Sequence, residues 1–128
     1  MKKKAVLVVE DNRVIARIIG YKLECAGYSV RICNDGCAAI EALAAEQFDA
    51  IVTDYQMPKM NGEQFCRHAR QDVRHADVPI FLLSAKQLEL DIEQLTEDLA
   101  LEQVLAKPFS PLQLVELLHD ALVSVSVG

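Results

Sequence analysis

No stretch of the 128-residue chain is apolar for long enough to cross a membrane as a helix, which takes about 20 residues. The basic start, Met1-Lys2-Lys3-Lys4, is followed by an apolar run of only Ala5 to Val9, and Glu10-Asp11 closes it. A secretory leader does not tolerate that interruption, so a cytoplasmic protein is expected, with Lys2 to Lys4 as a solvated strand entrance. Positive charge is scarce as well: the net charge is −6 and the pI about 5.0. That excludes non-specific nucleic-acid binding through a basic face. The four cysteines, Cys25, Cys33, Cys37 and Cys66, form no C-x-x-C pair, and His68, His75 and His119 do not complete a zinc ligand set. They read as small apolar side chains in a reducing compartment. Internal repeats, low-complexity tracts and linkers are lacking too, so a single domain over residues 1–128 is expected, with its core in 4–123.

The composition is that of a globular domain: 52% hydrophobic and 25% charged residues. A chain of this length buries roughly two thirds of the surface its unfolded form exposes. Short apolar runs alternate with segments of helical period. Strands are expected at 5–9, 30–33, 50–53, 79–83 and 103–106. Helices are expected over 14–26, over 62–71, over 88–99, from an Asp35 cap through Ala45, and from Pro111 behind a Ser110 cap. Val73 to Val78 reads as a polar connection. Apolar residues at helical spacing mark the inward faces: Val14, Ile15, Ile18, Ile19 and Leu23 in the first helix, Leu88, Ile92, Leu95 and Leu99 in the fourth, and Leu112, Val115, Leu118 and Leu122 in the fifth. Strands alternating with helices predict an α/β domain with a mainly parallel sheet and helices on both faces. Ligands of such sheets bind beyond the carboxyl ends of the strands.

Those ends carry a pattern. The first strand ends in Glu10-Asp11, the third in Asp54, the fourth in Ser84-Ala85 and the fifth in Lys107-Pro108. Three carboxylates on neighbouring strand ends repel one another by roughly 3 kcal/mol per pair at about 5 Å and an effective dielectric near 20. A cation or a proton must relieve them. Lys107 supplies one positive charge, and Mg²⁺ suits a site of a few carboxylates, waters and phosphate oxygens. One carboxylate then remains free to attack phosphorus. Phosphoryl transfer needs in-line positioning and charge stabilisation, for which a metal, Lys107 and the Ser84 hydroxyl are suited.

Four motifs in this order, "VVEDN" at 8–12, "IVTDYQMPKMNG" at 51–62, "LLSAK" at 82–86 and "LAKPF" at 105–109, make the chain resemble the receiver domain of two-component response regulators over residues 4–123. The resemblance implies a flavodoxin-like, doubly wound (βα)5 fold with a five-stranded parallel sheet in the order 2-1-3-4-5. It implies that Asp54 accepts a phosphoryl group from a histidine kinase or a histidine phosphotransfer protein, with Mg²⁺ held by Glu10, Asp11, Asp54 and the backbone carbonyl of Gln56. Lys107 would pair with Asp54 and then with the phosphoryl group, and Ser84 would hydrogen-bond a phosphoryl oxygen. A cis Lys107–Pro108 bond is implied too. The domain would be a phosphoacceptor with its own autodephosphorylation rather than an enzyme with a separate substrate. The phosphodonor would dock on the first helix and the Pro108 loop. A downstream protein target or a second receiver would meet the face made by the fourth helix, fifth strand and fifth helix (α4-β5-α5). No output domain is expected within the 128 residues.

Two positions depart from the family pattern. Glu10 stands where Asp is frequent, and its longer side chain is expected to reach metal through water. Val104 stands three residues before the lysine, where many receivers carry Tyr or Phe, so switching is expected to run through Ser84 and repacking of the fourth helix and fifth strand. Gln56 and Lys86 flank the expected phosphoryl group and are read either as shields that slow its hydrolysis or, with equal weight, as two solvated loop side chains. The competing reading is a receiver-like protein-binding module that works without phosphorylation; the complete set of acidic pair, Asp54, Ser84 and Lys107 speaks against it. A flavodoxin-like electron carrier would need a hydroxyl- and glycine-rich loop where Glu10-Asp11-Asn12 stands. A haloacid-dehalogenase-type phosphatase would need an Asp at Gln56.

Overall fold

The computed structural model describes residues 2–85 and 91–127. Five strands, β1 (Ala5–Val9), β2 (Ser29–Cys33), β3 (Ala50–Asp54), β4 (Ile80–Ala85) and β5 (Gln103–Lys107), alternate with five helices, α1 (Arg13–Cys25), α2 (Gly36–Ala45), α3 (Gly62–Gln71), α4 (Ile92–Leu99) and α5 (Pro111–Val127). The strands form one parallel sheet in the order β2-β1-β3-β4-β5. The proposed start of the fourth helix at Leu88, and Lys86, lie outside the described residues.

Because side chains alternate across a strand, the runs Val6–Val9, Ala50–Val52 and Ile80–Leu83 fill two cores at once. Leu7, Val9, Ile51, Ile80 and Leu82 face α2, α3 and α4, where they meet Ala39, Leu43, Phe65, Cys66 and Leu99. Val6, Val8, Val52, Phe81 and Leu83 face α1 and α5, where they meet Ile19, Leu23, Leu114 and Leu118. Every strand residue from Val6 to Val9 and from Ala50 to Val52 is fully buried. That is why these segments read as unbroken apolar runs rather than alternating ones.

The helix signals are local. Asn12 caps α1 by accepting from the amides of Val14 and Ile15. Asp35 caps α2 through Ala38, and Asn61 with Gln64 forms a reciprocal capping box on α3. Ser110 Oγ accepts from Gln113 N at 3.2 Å at the start of α5. Gly27 follows α1 with φ +101°, a conformation that suits glycine.

Several expectations for inward residues are corrected. Val14, Ile18 and Leu112 are 67%, 46% and 61% exposed, and Ile92 is exposed as well. Ala16 and Gly20 take the sheet-facing places in α1, and Leu114 takes one in α5. The 73–78 segment is not simply polar either. It forms a short 3-10 turn, Val73–His75, whose His75 is fully buried and accepts from Phe48 N through Nε2 at 3.0 Å. Arg70, at the end of α3, organises this region. Its guanidinium donates to the carbonyls of Leu99 and Ala100 at the end of α4, and to those of His75, Ala76 and Val78 ahead of β4.

Candidate functional site

The carboxyl ends of β1, β3 and β5 converge. Glu10 follows β1 directly, and its amide donates to the Cys33 carbonyl at 3.0 Å. Its side chain is fully buried. One carboxylate oxygen, Oε2, accepts from Asn12 N at 3.1 Å; the other, Oε1, lies 3.0 Å from Lys107 Nζ. The Asn12 amide is thus used for Glu10 while the Asn12 side chain caps α1. The turn between them leaves Asp11 exposed at the rim.

Asp54 is the last residue of β3, in register with Leu83 of β4, and only 4% exposed. The backbone behind it is held on two sides. Tyr55 N donates to Leu83 O at 2.8 Å, and Gly62 N donates to Tyr55 O at 2.7 Å. A Cβ on Gly62 would come within 2.5 Å of the Asp54 carbonyl and 2.8 Å of Tyr55 Cα. Only glycine allows α3 to start that close to the strand end.

Lys107 closes β5 opposite Ala85. Its Nζ is 3.1 Å from Asp54 Oδ1 as well as 3.0 Å from Glu10 Oε1. To reach β3 and β1 the side chain must cross the end of β4, where the small residues Ser84 and Ala85 leave room. The bond from Lys107 to Pro108 is cis.

The electrostatics follow from this crowding. Burial pushes the Glu10 carboxyl up to about 7, with the Asn12 amide and Lys107 working against the rise and the Asp54 charge adding to it. Asp54 is also raised, by burial first, while Lys107 opposes the shift and Asp11 reinforces it. Burial works against the Lys107 charge, yet the Glu10 hydrogen bond and the Asp54 charge raise its pKa overall. Three carboxylates facing one ammonium leave a demand for further positive charge.

The donor chemistry fits a hard divalent cation. Glu10, Asp11 and Asp54 each place a carboxylate oxygen within 4.8 Å of the others, and oxygen donors suit Mg²⁺. Asp11, Asp54, Gln56, Pro58 and Lys107 line a cleft of about 450 Å³ at this point. Gln56 is exposed on that wall. Ser84 is buried at the end of β4, in register with Ala106 and next in sequence to Ala85, which lines the cleft.

A second cavity, apolar and about 480 Å³, adjoins the site. Ile15, Ile18, Pro108, Phe109 and Pro111 line it, and Lys107 is shared with the acidic cleft. Two contributors to the site were not foreseen. Asn12 had a legible signal, since a polar residue directly before a helical period is a cap candidate. Asn34, the residue after β2, donates from Nδ2 to the Glu10 carbonyl at 3.0 Å; read alone, it is simply part of an Asn-Asp-Gly turn.

Comparison with known proteins agrees with this geometry. The family model of the response regulator receiver domain matches residues 6–119. The alkaline phosphatase synthesis transcriptional regulatory protein PhoP of Bacillus subtilis is 37% identical over 108 residues, which are 84% of this chain and 44% of PhoP. The chain thus corresponds to less than half the length of that relative. Among solved structures, the chemotaxis protein CheY4 of Vibrio cholerae superposes with a TM-score of 0.86 at 28% identity, over 94% of this chain and 99% of CheY4. The receiver domain of the Francisella response regulator 1452 superposes with a TM-score of 0.85 at 25% identity, over 96% and 99% of the two chains.

Proposed function

The chain belongs to the response regulator receiver domain family of two-component signalling, and from that premise we propose that Asp54 accepts a phosphoryl group from a phosphohistidine donor in a Mg²⁺-dependent reaction. The observation that carries this reading is the Lys107 ammonium, shared between Glu10 Oε1 and Asp54 Oδ1. It holds the acceptor carboxylate at the floor of an open cleft and can transfer to an incoming phosphoryl oxygen.

In the proposed step a carboxylate oxygen of Asp54 bonds to phosphorus as the nitrogen–phosphorus bond of the donor breaks. The departing imidazole nitrogen keeps the electron pair and is protonated from solvent. Lys107 exchanges its contact with Asp54 for one with the transferred group. The Ser84 hydroxyl donates to a phosphoryl oxygen after a small inward movement of the β4 end. Glu10, Asp11, Asp54 and the Gln56 carbonyl would hold Mg²⁺, which supplies charge neutralisation for the equatorial oxygens. Gln56 stands where it can obstruct the water that hydrolyses the product.

The apolar cavity beside α1 and the Pro108 loop, with the exposed Ile18 in its wall, supports docking of a histidine kinase or a histidine phosphotransfer protein there. The α4-β5-α5 face, with Ile92 and Val123 exposed, is the proposed contact for a downstream protein or a second receiver. We read residues 1–128 as one receiver domain. Among the described residues no helix is long and apolar enough to cross a membrane.

Incubation with acetyl phosphate and Mg²⁺, followed by intact mass measurement, tests the chemistry. An acid-labile adduct of one phosphoryl group is expected on the wild type and none on Asp54→Asn. A wild type that stays unmodified, or an adduct that survives in the variant, overturns the assignment.

A further inference from the structure

The hydrogen-bonded ladder between β1 and β2 ends at the pair Val9 and Cys33. Beyond it both chains turn into helices, and a parallel pair would part there. Two bonds prolong the contact by one residue. Glu10 N donates to the Cys33 carbonyl at 3.0 Å, and Asn34 Nδ2 donates to the Glu10 carbonyl at 3.0 Å. The second rung comes from a side chain. A carbonyl oxygen only accepts, so the amide group of Asn34 must present its nitrogen to it.

The Glu10 carbonyl lies in the peptide plane whose nitrogen belongs to Asp11. Tying that oxygen fixes the plane on one side of Asp11, which leaves rotation about the Asp11 N–Cα bond to be set from the other side. On the far side, the Asn12 amide is tied to Glu10 Oε2 at 3.1 Å. Asp11 is thereby held between two anchored peptides while its own carboxylate stays exposed. The turn after β2 does not need Asn34 for its own sake. Asp35 caps α2 through Ala38 N at 2.7 Å, and the amide of Asn34 reaches away from that turn to β1.

We propose that Asn34 is a positioning residue of the divalent-cation site, orienting the Glu10–Asp11 peptide so that both carboxylates face Asp54. This role rests on the reading of Glu10, Asp11 and Asp54 as a Mg²⁺ site. The turn after edge strand β2, which brings no charged group to the cleft, contributes to it through this bond.

Titration calorimetry of the full chain with MgCl2 alone, without phosphodonor, tests the proposal on wild type, Asn34→Ala and Asn34→Asp. Thermal unfolding and amide exchange of the metal-free forms accompany it. The Ala variant should bind Mg²⁺ about tenfold more weakly, the low end of what loss of an orienting partner costs a metal site. Exchange at Asp11 and Asn12 should rise while that of Val6 to Val9 does not. The Asp variant should also bind more weakly despite its added negative charge, because it cannot donate at neutral pH. Affinity in Asn34→Ala equal to wild type, or tighter binding in Asn34→Asp, overturns the positioning role and leaves the acidic site standing. A variant that only unfolds at lower temperature, with unchanged affinity, also overturns it. A wild type that binds no Mg²⁺ overturns the site and this role together.

Discussion

Lys107 Nζ lies 3.0 Å from Oε1 of Glu10, a residue 97 positions earlier in the chain. The contact joins the last strand of the sheet to the first. It makes Glu10 more than one acid among three: each of its carboxylate oxygens already has one partner, Lys107 or the Asn12 amide, while Asp11 remains open to solvent.

The first prediction concerns pH in the metal-free protein. Glu10 ionises near 4.5 when unfolded, and burial in the folded chain pushes it up to about 7. The folded state therefore binds the proton more tightly between those values. The contribution is complete below the unfolded pKa and is lost as pH rises through the folded one. Urea unfolding without metal should show stability falling between about pH 4.5 and pH 7, and Glu10→Gln should flatten that slope. Mg²⁺ should restore the stability of the wild type on the alkaline side by binding the folded state alone. A slope equal in wild type and Glu10→Gln would refute the assignment.

Gly62 is expected to be intolerant of any side chain. A methyl group there meets the Asp54 carbonyl and Tyr55 Cα, both backbone, at 2.5 and 2.8 Å. Backbone cannot rotate away as a side-chain tip can. Gly62→Ala should cost about 1–3 kcal/mol, in the range of an overpacked core, and should displace α3 from the end of β3. Urea unfolding measures the first effect, and weaker Mg²⁺ binding reports the second.

Arg70 should be the most sensitive charged residue outside the cleft. Its guanidinium, half-buried, donates to five carbonyls from two separate segments. Truncation would strand those acceptors, two of which end α4. Arg70→Ala should destabilise by about 2–4 kcal/mol, as loss of several charge-assisted bonds implies. Arg70→Lys should fall between, since an ammonium keeps the charge but not the planar fork. Equal stability of the Ala and Lys variants would show that the charge alone contributes nothing and that the planar fork carries the whole effect.

Much of the site could be read from sequence because strand ends in a parallel sheet are local signals. An apolar run that stops at Glu10-Asp11, at Asp54 or at Lys107 announces its own boundary. The exposed Val14, Ile18 and Leu112 show where that reading fails. Helical period identifies an apolar face but not what covers it, and the sheet took Ala16, Gly20 and Leu114 instead. Side-chain reach was equally hidden. Nothing local in Arg70 points to the carbonyls of Leu99 and Ala100, nor anything in Asn34 to Glu10, because both bonds depend on register between distant segments.

The switch, finally, should be visible in α4 and β5 although the aromatic residue common in receivers is replaced by Val104. Val104 is in register with Leu82 and packs partly against the core on the α2–α4 face, so it has little volume to swing. Ser84, two residues further along β4, pairs with Ala106. A movement of Ser84 toward a phosphoryl group therefore pulls on β5 and the approach to α4. The first turn of α4, Asp91 to Gln94, is exposed, whereas its far end is tied to Arg70. Beryllofluoride with Mg²⁺ should shift amide resonances of residues 91–95 and 103–106 strongly and those of 99–101 weakly. Ser84→Ala should keep the shifts at 10–12 and 54–57 and lose the remote ones. Shifts confined to the acidic cleft in the wild type would mean that the phosphoryl signal does not leave through β4, and that Ser84 only binds.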